Sequence, residues 1–423
     1  MNFTLLIVYS VALLLLLLLY QKRKKTFDAG SLSILIFVIC SVASVLSYTP
    51  HYSYNSFLFP LIYLFVTLYL SFKPICKFDF NKTVIVFPKQ KIIEYISWFF
   101  VICTIIGASI SSNNVIEGIQ RVIIDESYGL DTYNHMLDKV LSSGSGISNL
   151  PIIIMNAMYC IAVLLLFILL TYDRKKIVLI ILMSLSILYG AVKYLSIGER
   201  GGIVNRALII IASYICIKNY LTESIRKKIR WIGFMAALLI FIPFIALTNS
   251  RFRETETGSV NSIYNYAGQG TINFCKYALN DNGIRYGDRT IPLFKRMLFI
   301  PNVPKNFLER RDKYPYLKIN DEVFSTFIGD FAIDFGPIFA FLLILFNSVA
   351  LSSLIGKYKY RIRFHYFLLF HFYLCVVVQG PSLFQFADTG NLAIIMYFLF
   401  YLYFKYAKTY PTMNEIKTIN NNI

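Results

Sequence analysis

Apolar runs about as long as a bilayer core is thick recur along this chain, and they leave little choice of fold. A helix needs about 20 mostly apolar residues to cross the hydrocarbon core. The first run, Phe3 to Tyr20, holds an unbroken Leu13–Leu19 and is followed at once by Lys22-Arg23-Lys24-Lys25. That charge order is the reverse of a cleavable signal peptide, so the run reads as a retained first span. Further runs fall near 31–48, 56–72, 93–111, 151–171, 177–195, 203–220, 231–248, 324–356, 364–379 and 391–407. They predict an all-α polytopic membrane protein with about 11 transmembrane helices. The stretch 324–356 is too long for one straight helix. Gly329, Gly336 and Pro337 interrupt its first half, so a short membrane-dipping segment is expected ahead of the true span.

Composition agrees: 57% of the 423 residues are hydrophobic and only 15% charged, unlike a soluble globular chain. The net charge of +18 does not imply nucleic acid, because the basic residues form short runs between apolar segments. The short loops around 22–25, 73–91, 174–176, 218–230, 357–363 and 405–417 carry more than half of the 41 Lys and Arg. Short basic loops face the cytoplasm, which gives an N-outside, C-inside orientation. Most of the 23 acidic residues then fall on the outer side or at its membrane edge. The expected organisation is residues 1–248 as membrane helices 1–8 with an external loop at 112–150, residues 249–323 as one large external loop, and residues 324–423 as helices 9–11. Apolar islands such as Thr290 to Pro301 suggest that the large loop folds against the membrane surface. Five of the seven cysteines lie in apolar spans, and no spacing suggests a disulfide framework or zinc site.

The stretch Ser196-Ile197-Gly198-Glu199-Arg200-Gly201-Gly202, followed by Arg206, is a charged break between two spans. Charges at such a boundary normally face a cavity, a partner or water. Guanidinium beside glycine suits a bound phosphate, which it pairs bidentately; the plain alternative is a polar turn with a snorkelling Arg. Arg251 and Arg253 open the large loop, which continues through Arg285, Arg289, Lys295, Arg296 and Glu309-Arg310-Arg311-Asp312-Lys313. Such Arg density on the outer face runs against the positive-inside trend, and an anionic ligand at the outer leaflet would account for it. A generic basic loop touching lipid headgroups is the alternative. Asp330 and Asp334 stand four apart in an otherwise apolar segment, so at helical spacing they share a face. They are either candidate general bases or structural acids and partners of nearby Arg. Glu199 is a candidate base or the salt partner that holds Arg200. The four histidines are scattered without metal-ligand spacing, His371 reading as a satisfied helix-interface residue, and no phosphate-binding glycine loop is present. No metal or cofactor is expected.

Three elements resemble the bacterial oligosaccharide repeat-unit polymerases, the Wzy-type O-antigen and capsule polymerases. They are Gly198-Glu199-Arg200-Gly201 after a middle span, the long loop opened by Arg251 and Arg253 with Tyr264-Asn265-Tyr266 soon after, and the loop's end. That end runs Val323-Phe324-Ser325-Thr326 through Gly329-Asp330-Phe331 to Ile333-Asp334-Phe335-Gly336-Pro337. Glu199 stands where a small or polar residue is common, and Pro337 interrupts the usual glycine pair. The resemblance implies a glycosyltransferase that moves a growing glycan from one polyprenyl diphosphate carrier onto a new lipid-linked repeat unit. It also implies the bacterial cytoplasmic membrane as location, membrane lipid and the lipid-linked donor and acceptor as partners, and a flippase and a chain-length regulator in the same assembly line. On this reading Arg200, Arg206, Arg251 and Arg253 bind diphosphate, with Asp330, Asp334 or Glu199 as base. The rival readings are an O-antigen ligase and a lipid-carrier transporter. A transporter would place charge along many spans, whereas here the charge gathers on one face.

Overall fold

The computed structural model describes residues 1–49, 55–124, 149–172, 176–196, 199–235, 238, 258–280, 282–319 and 323–406. In chain order the helices are α1 (Asn2–Lys24), α2 (Ala29–Leu46), α3 (Leu58–Lys77), α4 (Gln90–Ile124), α5 (Leu150–Leu169), α6 (Ile177–Ser196) and α7 (Arg200–Ile217). There follow α8 (223–235) and α9 (Gly258–Asn273), which ends in a π-turn at Phe274–Ala278, then α10 (Pro292–Met297) and α11 (Phe307–Lys313). The last are α12 (Thr326–Phe335), α13 (Pro337–Lys357), α14 (Phe364–Gln379) and α15 (Asn391–Tyr406). Among the described residues eight helices, α1–α7 and α13, are long and apolar enough to cross a membrane. The chain is therefore a mainly helical, multi-pass membrane protein. The expected span at 231–248 lies mostly outside the described residues.

Local chemistry explains several boundaries. Asp28 starts α2 with a capping box, its carboxylate accepting from Ser31 N at 2.9 Å while Ser31 Oγ accepts from Asp28 N. The break expected inside 324–356 falls between α12 and α13: Gly336 takes φ 84, and Pro337 opens the next helix, where its missing N–H costs nothing. One boundary differs from expectation. The span expected at 93–111 continues as helix through Ser112, Asn113 and Glu117 to Ile124, so the first third of the 112–150 loop is helical.

The chain forms two compact units. The first comprises Met1–Phe78, Thr248–Lys357 and Tyr373–Leu392. Within it α2 packs on α1 and α9, and α3 packs on α13. Ser33, Ser41 and Ser44 of α2 are fully buried, and each hydroxyl donates back to a carbonyl one turn earlier, at 2.6–2.8 Å. Their small side chains permit close helix approach without leaving a polar atom unmatched in the apolar interior. At one end Asn2 ties α1 to the start of α3 through Asn55 O and Phe57 N. At the other end Lys77 Nζ donates to Ser352 O at 2.7 Å.

The second unit comprises Asp79–Leu247, Tyr358–Phe372 and Ala393–Ile423. Its α5 is apolar on all sides and nearly continuously buried from Ala157 to Leu165, as befits a helix surrounded by α4, α6 and α7. Two strands absent from the sequence reading, β1 (Val84–Val86) and β2 (Arg361–Arg363), pair in parallel. Tyr220 OH accepts from Ile85 N, Asn219 donates to Phe80 O, and Tyr172 OH donates to Pro88 O. Three of the six basic loops assigned to one side, 73–91, 218–230 and 357–363, thus meet one another, with Tyr172 beside them. His371 is fully buried and bridges Ser213 Oγ and Tyr397 OH, both at 2.8 Å, as a satisfied interface residue.

Candidate functional site

The charged break between α6 and α7 lies in the second unit. Arg200 is the first residue of α7, and both Arg200 and Arg206 are buried, at 5% and 7% exposure. The Arg206 guanidinium lies 3.6 Å from the centre of the Tyr159 ring and within reach of Tyr194, whose hydroxyl accepts from Nη2 at 3.3 Å. Asn156 Oδ1 accepts from the same nitrogen at 3.4 Å. These partners are neutral, so the aromatic faces support the cation without cancelling its charge. Lys193 is near enough to Arg206 to feel its repulsion, and Glu199, which is exposed, near enough to feel its attraction. Glu199 precedes the helix without capping it through its side chain. Gly202 serves packing: a Cβ there would sit 2.1 Å from the Tyr194 ring. Cations at a helix N-terminus oppose the macrodipole, which favours negative charge. A helix N-terminus carrying such cations suits an anion.

Asp330 and Asp334 lie in the first unit, on one face of α12, and both are completely buried. Asp334 accepts from Arg285 Nε at 2.7 Å, Thr290 N at 2.7 Å and Arg289 N at 3.3 Å. Asp330 faces Arg289 Nη1 at 3.2 Å and Arg285 Nη2 at 3.9 Å, and takes the Phe384 N–H at 2.7 Å. Burial lifts the Asp330 carboxyl, against the pull of Arg289 and Arg285. Two cations four residues apart thus meet two anions four residues apart, and the cluster is formally neutral. Both acids are shut off from solvent in this structure and pair with nearby arginine. Thr326, at the head of α12, takes φ 68, a conformation costly for a β-branched residue by about 1–3 kcal/mol. The strained turn is held by Ser325 N and Thr326 N on Ser382 O and by Phe327 N on Gly380 O.

A second ionic knot braces the same loop. Buried Asp288 accepts from Lys295, from Lys313 Nζ at 2.6 Å and from Tyr314 OH at 2.8 Å. Burial pushes the Asp288 carboxyl up, but these three donors outweigh it and hold the group below the usual carboxylate range. Burial, then the bond to Asp288, raises the Tyr314 hydroxyl. Arg310 clamps Asp388 with two bonds of 2.7 and 3.0 Å.

Glu199, Arg200 and Arg206 form one group in the second unit, and Asp330 and Asp334 another in the first. Arg251 and Arg253 lie outside the described residues. The partners Arg285 and Arg289 were visible as loop arginines, and their matching spacing of four was the available signal; Asp288 and Asp388 carried none. Among the described residues no three His, Cys, Asp or Glu side chains gather to hold a metal. No family model, curated protein or solved structure matches this chain.

Proposed function

We propose that the chain is a glycan polymerase of the bacterial cytoplasmic membrane, joining polyprenyl-diphosphate-linked oligosaccharide repeat units at the outer face. The observation that carries this reading is the pair of buried guanidiniums at the start of α7, against the helix dipole and with Lys193 nearby. In the proposed step the acceptor sugar hydroxyl attacks the anomeric carbon of the donor. The anomeric C–O bond breaks with its electron pair on the diphosphate, and the hydroxyl proton passes to a carboxylate. Arg200 and Arg206 stabilise the charge that grows on the leaving diphosphate, where stabilisation favours the transition state most. Exposed Glu199 is the proposed proton acceptor, since Asp330 and Asp334 are committed to the arginine cluster. Arg251 and Arg253 remain proposed diphosphate ligands.

The orientation proposed with it, about 11 spans with the N-terminus outside, is supported by the meeting of three of the basic loops in the second unit and of Asn2 with Asn55 and Phe57 in the first. Exposed Met297, Leu298 and Phe299, next to Lys295 and Arg296, suit a loop tip resting in the headgroup layer. The test is Arg200→Ala and, separately, Arg206→Ala, scored by polymer length on a gel and by the amount of protein in the membrane. Loss of polymer at normal protein level is expected; normal chain length in both variants refutes the assignment.

A further inference from the structure

In the second unit no residue of α8 is buried, and Arg230 to Met235 are exposed without interruption. Trp231, Ile232 and Phe234 are the extreme cases, at 68%, 69% and 58% exposure. A Cβ added at Gly233 would meet nothing within 4 Å. Large apolar side chains left open side by side mark a surface that something else covers. Lys227, Arg230, Trp231 and Phe234 follow one another at i, i+3, i+4 and i+7, so they form a single stripe along the helix. These four residues line an open groove of about 450 Å³. The Trp231 and Phe234 rings meet edge to face at 6.3 Å and give the groove its apolar wall.

The order along the stripe identifies the occupant. Both cations precede both rings, and at 1.5 Å rise per residue the distance from Lys227 to Phe234 is about 10 Å. A phospholipid presents the same order, from phosphate through glycerol to acyl chain. Trp sits by preference at the junction of headgroups and hydrocarbon, and the apolar span expected at 231–248 begins at Trp231, which turns the rings toward lipid. The cations are available for a phosphate. Among the described residues Lys227 has no ion pair or hydrogen bond, and Arg230 uses only Nε, on Arg226 O at 3.4 Å. Glu223, one turn before Lys227, makes no ion pair with it. A guanidinium pairs with phosphate oxygens bidentately, and an ammonium adds a point charge beside it.

We infer that the Lys227–Phe234 stripe of α8 is a binding site for the headgroup of an anionic phospholipid. The site is independent of glycan transfer and is tested without it. Trp98 and Trp231 are the two tryptophans of the chain, so Trp98→Phe leaves Trp231 as the sole reporter. The full-length protein is reconstituted in phosphatidylcholine vesicles containing a minor share of brominated lipid, either phosphatidylglycerol or phosphatidylcholine. Acyl-chain bromine quenches an indole beside it. Phosphatidylglycerol should be preferred by about fivefold for each of the two cations, and the preference should shrink as salt rises. Lys227→Gln and Arg230→Gln should each remove about fivefold, and the double variant should quench equally with both lipids. Lys228→Gln loses the same charge off the stripe and should change the preference by less than about twofold. All three side chains are exposed, so their replacement leaves the fold intact. Equal quenching of the Trp98→Phe protein by the two lipids overturns the inference. So does an equal loss in Lys228→Gln, which would signify diffuse surface charge, or a preference that survives the double variant. Quenching by neither lipid would put the rings against water or a protein partner and overturn it too.

Discussion

Replacing Asp334 with Ala tests whether the large loop is held by buried charge. The carboxylate is completely buried and accepts three hydrogen bonds, one from Arg285, itself 1% exposed. Its removal takes the 2.7 Å carboxylate from the Arg285 guanidinium, leaves Asp330 3.9 Å away, and removes the acceptor of the Arg289 and Thr290 N–H groups. Breaking a buried pair in this way costs about 3–5 kcal/mol. At 1.4 kcal/mol per tenfold, local opening should become about 100- to 3,000-fold more frequent. Hydrogen exchange followed by mass spectrometry reads this directly in peptides covering 284–292 and 326–335. Asp334→Asn keeps an acceptor oxygen and should lose about 1.5–3 kcal/mol, the range for bonds to a charged group. Adding Arg285→Met to Asp334→Leu should recover part of the loss, since the buried cation is gone as well. Asp312→Ala, at an exposed position, is the control. Exchange within threefold of native in Asp334→Ala would refute the reasoning.

Three further outcomes follow from the same geometry. Asp288 titrates in the folded protein below its unfolded value of about 3.9, so the unfolded chain binds more protons between the two values and stability falls as pH drops through them. The melting-temperature difference between native protein and Asp288→Asn should therefore be constant from neutral pH down to about pH 5 and shrink below about pH 4; a difference unchanged into acid contradicts this. His371→Phe should lower the melting temperature while leaving polymer made, because it removes the hydrogen bonds of the buried imidazole to the Ser213 and Tyr397 hydroxyls, at about 1–3 kcal/mol each. Arg206→Lys should fail to restore polymer lost in Arg206→Ala, since an ammonium cannot reproduce the guanidinium's placement over the Tyr159 ring together with its bonds to Tyr194 and Asn156; polymer length on a gel decides it.

What the sequence revealed divides along physical lines. Spans were legible because bilayer thickness sets helix length, so 177–195 and 364–379 were read within a residue of α6 and α14. The break at Gly336-Pro337 was legible because both residues have fixed backbone preferences. Pairings across long separations were not: Arg285 and Asp334 lie 49 residues apart, and β1 meets β2 across more than 270. Nothing local distinguishes a carboxylate aimed at arginine from one aimed at substrate, which is why Asp330 and Asp334 stood with two roles. The partners of Arg206 are aromatic, and aromatic residues occur throughout this chain.

The central claim is polymerisation, and the most direct measurement is the lipid-linked glycan that accumulates in host cells lacking this chain. The account predicts single repeat units on polyprenyl diphosphate at the outer leaflet, with the polymer ladder restored by the native protein and not by Arg200→Ala. An unchanged ladder in its absence would contradict the account, as would long polymer held on the carrier or repeat units trapped on the cytoplasmic leaflet.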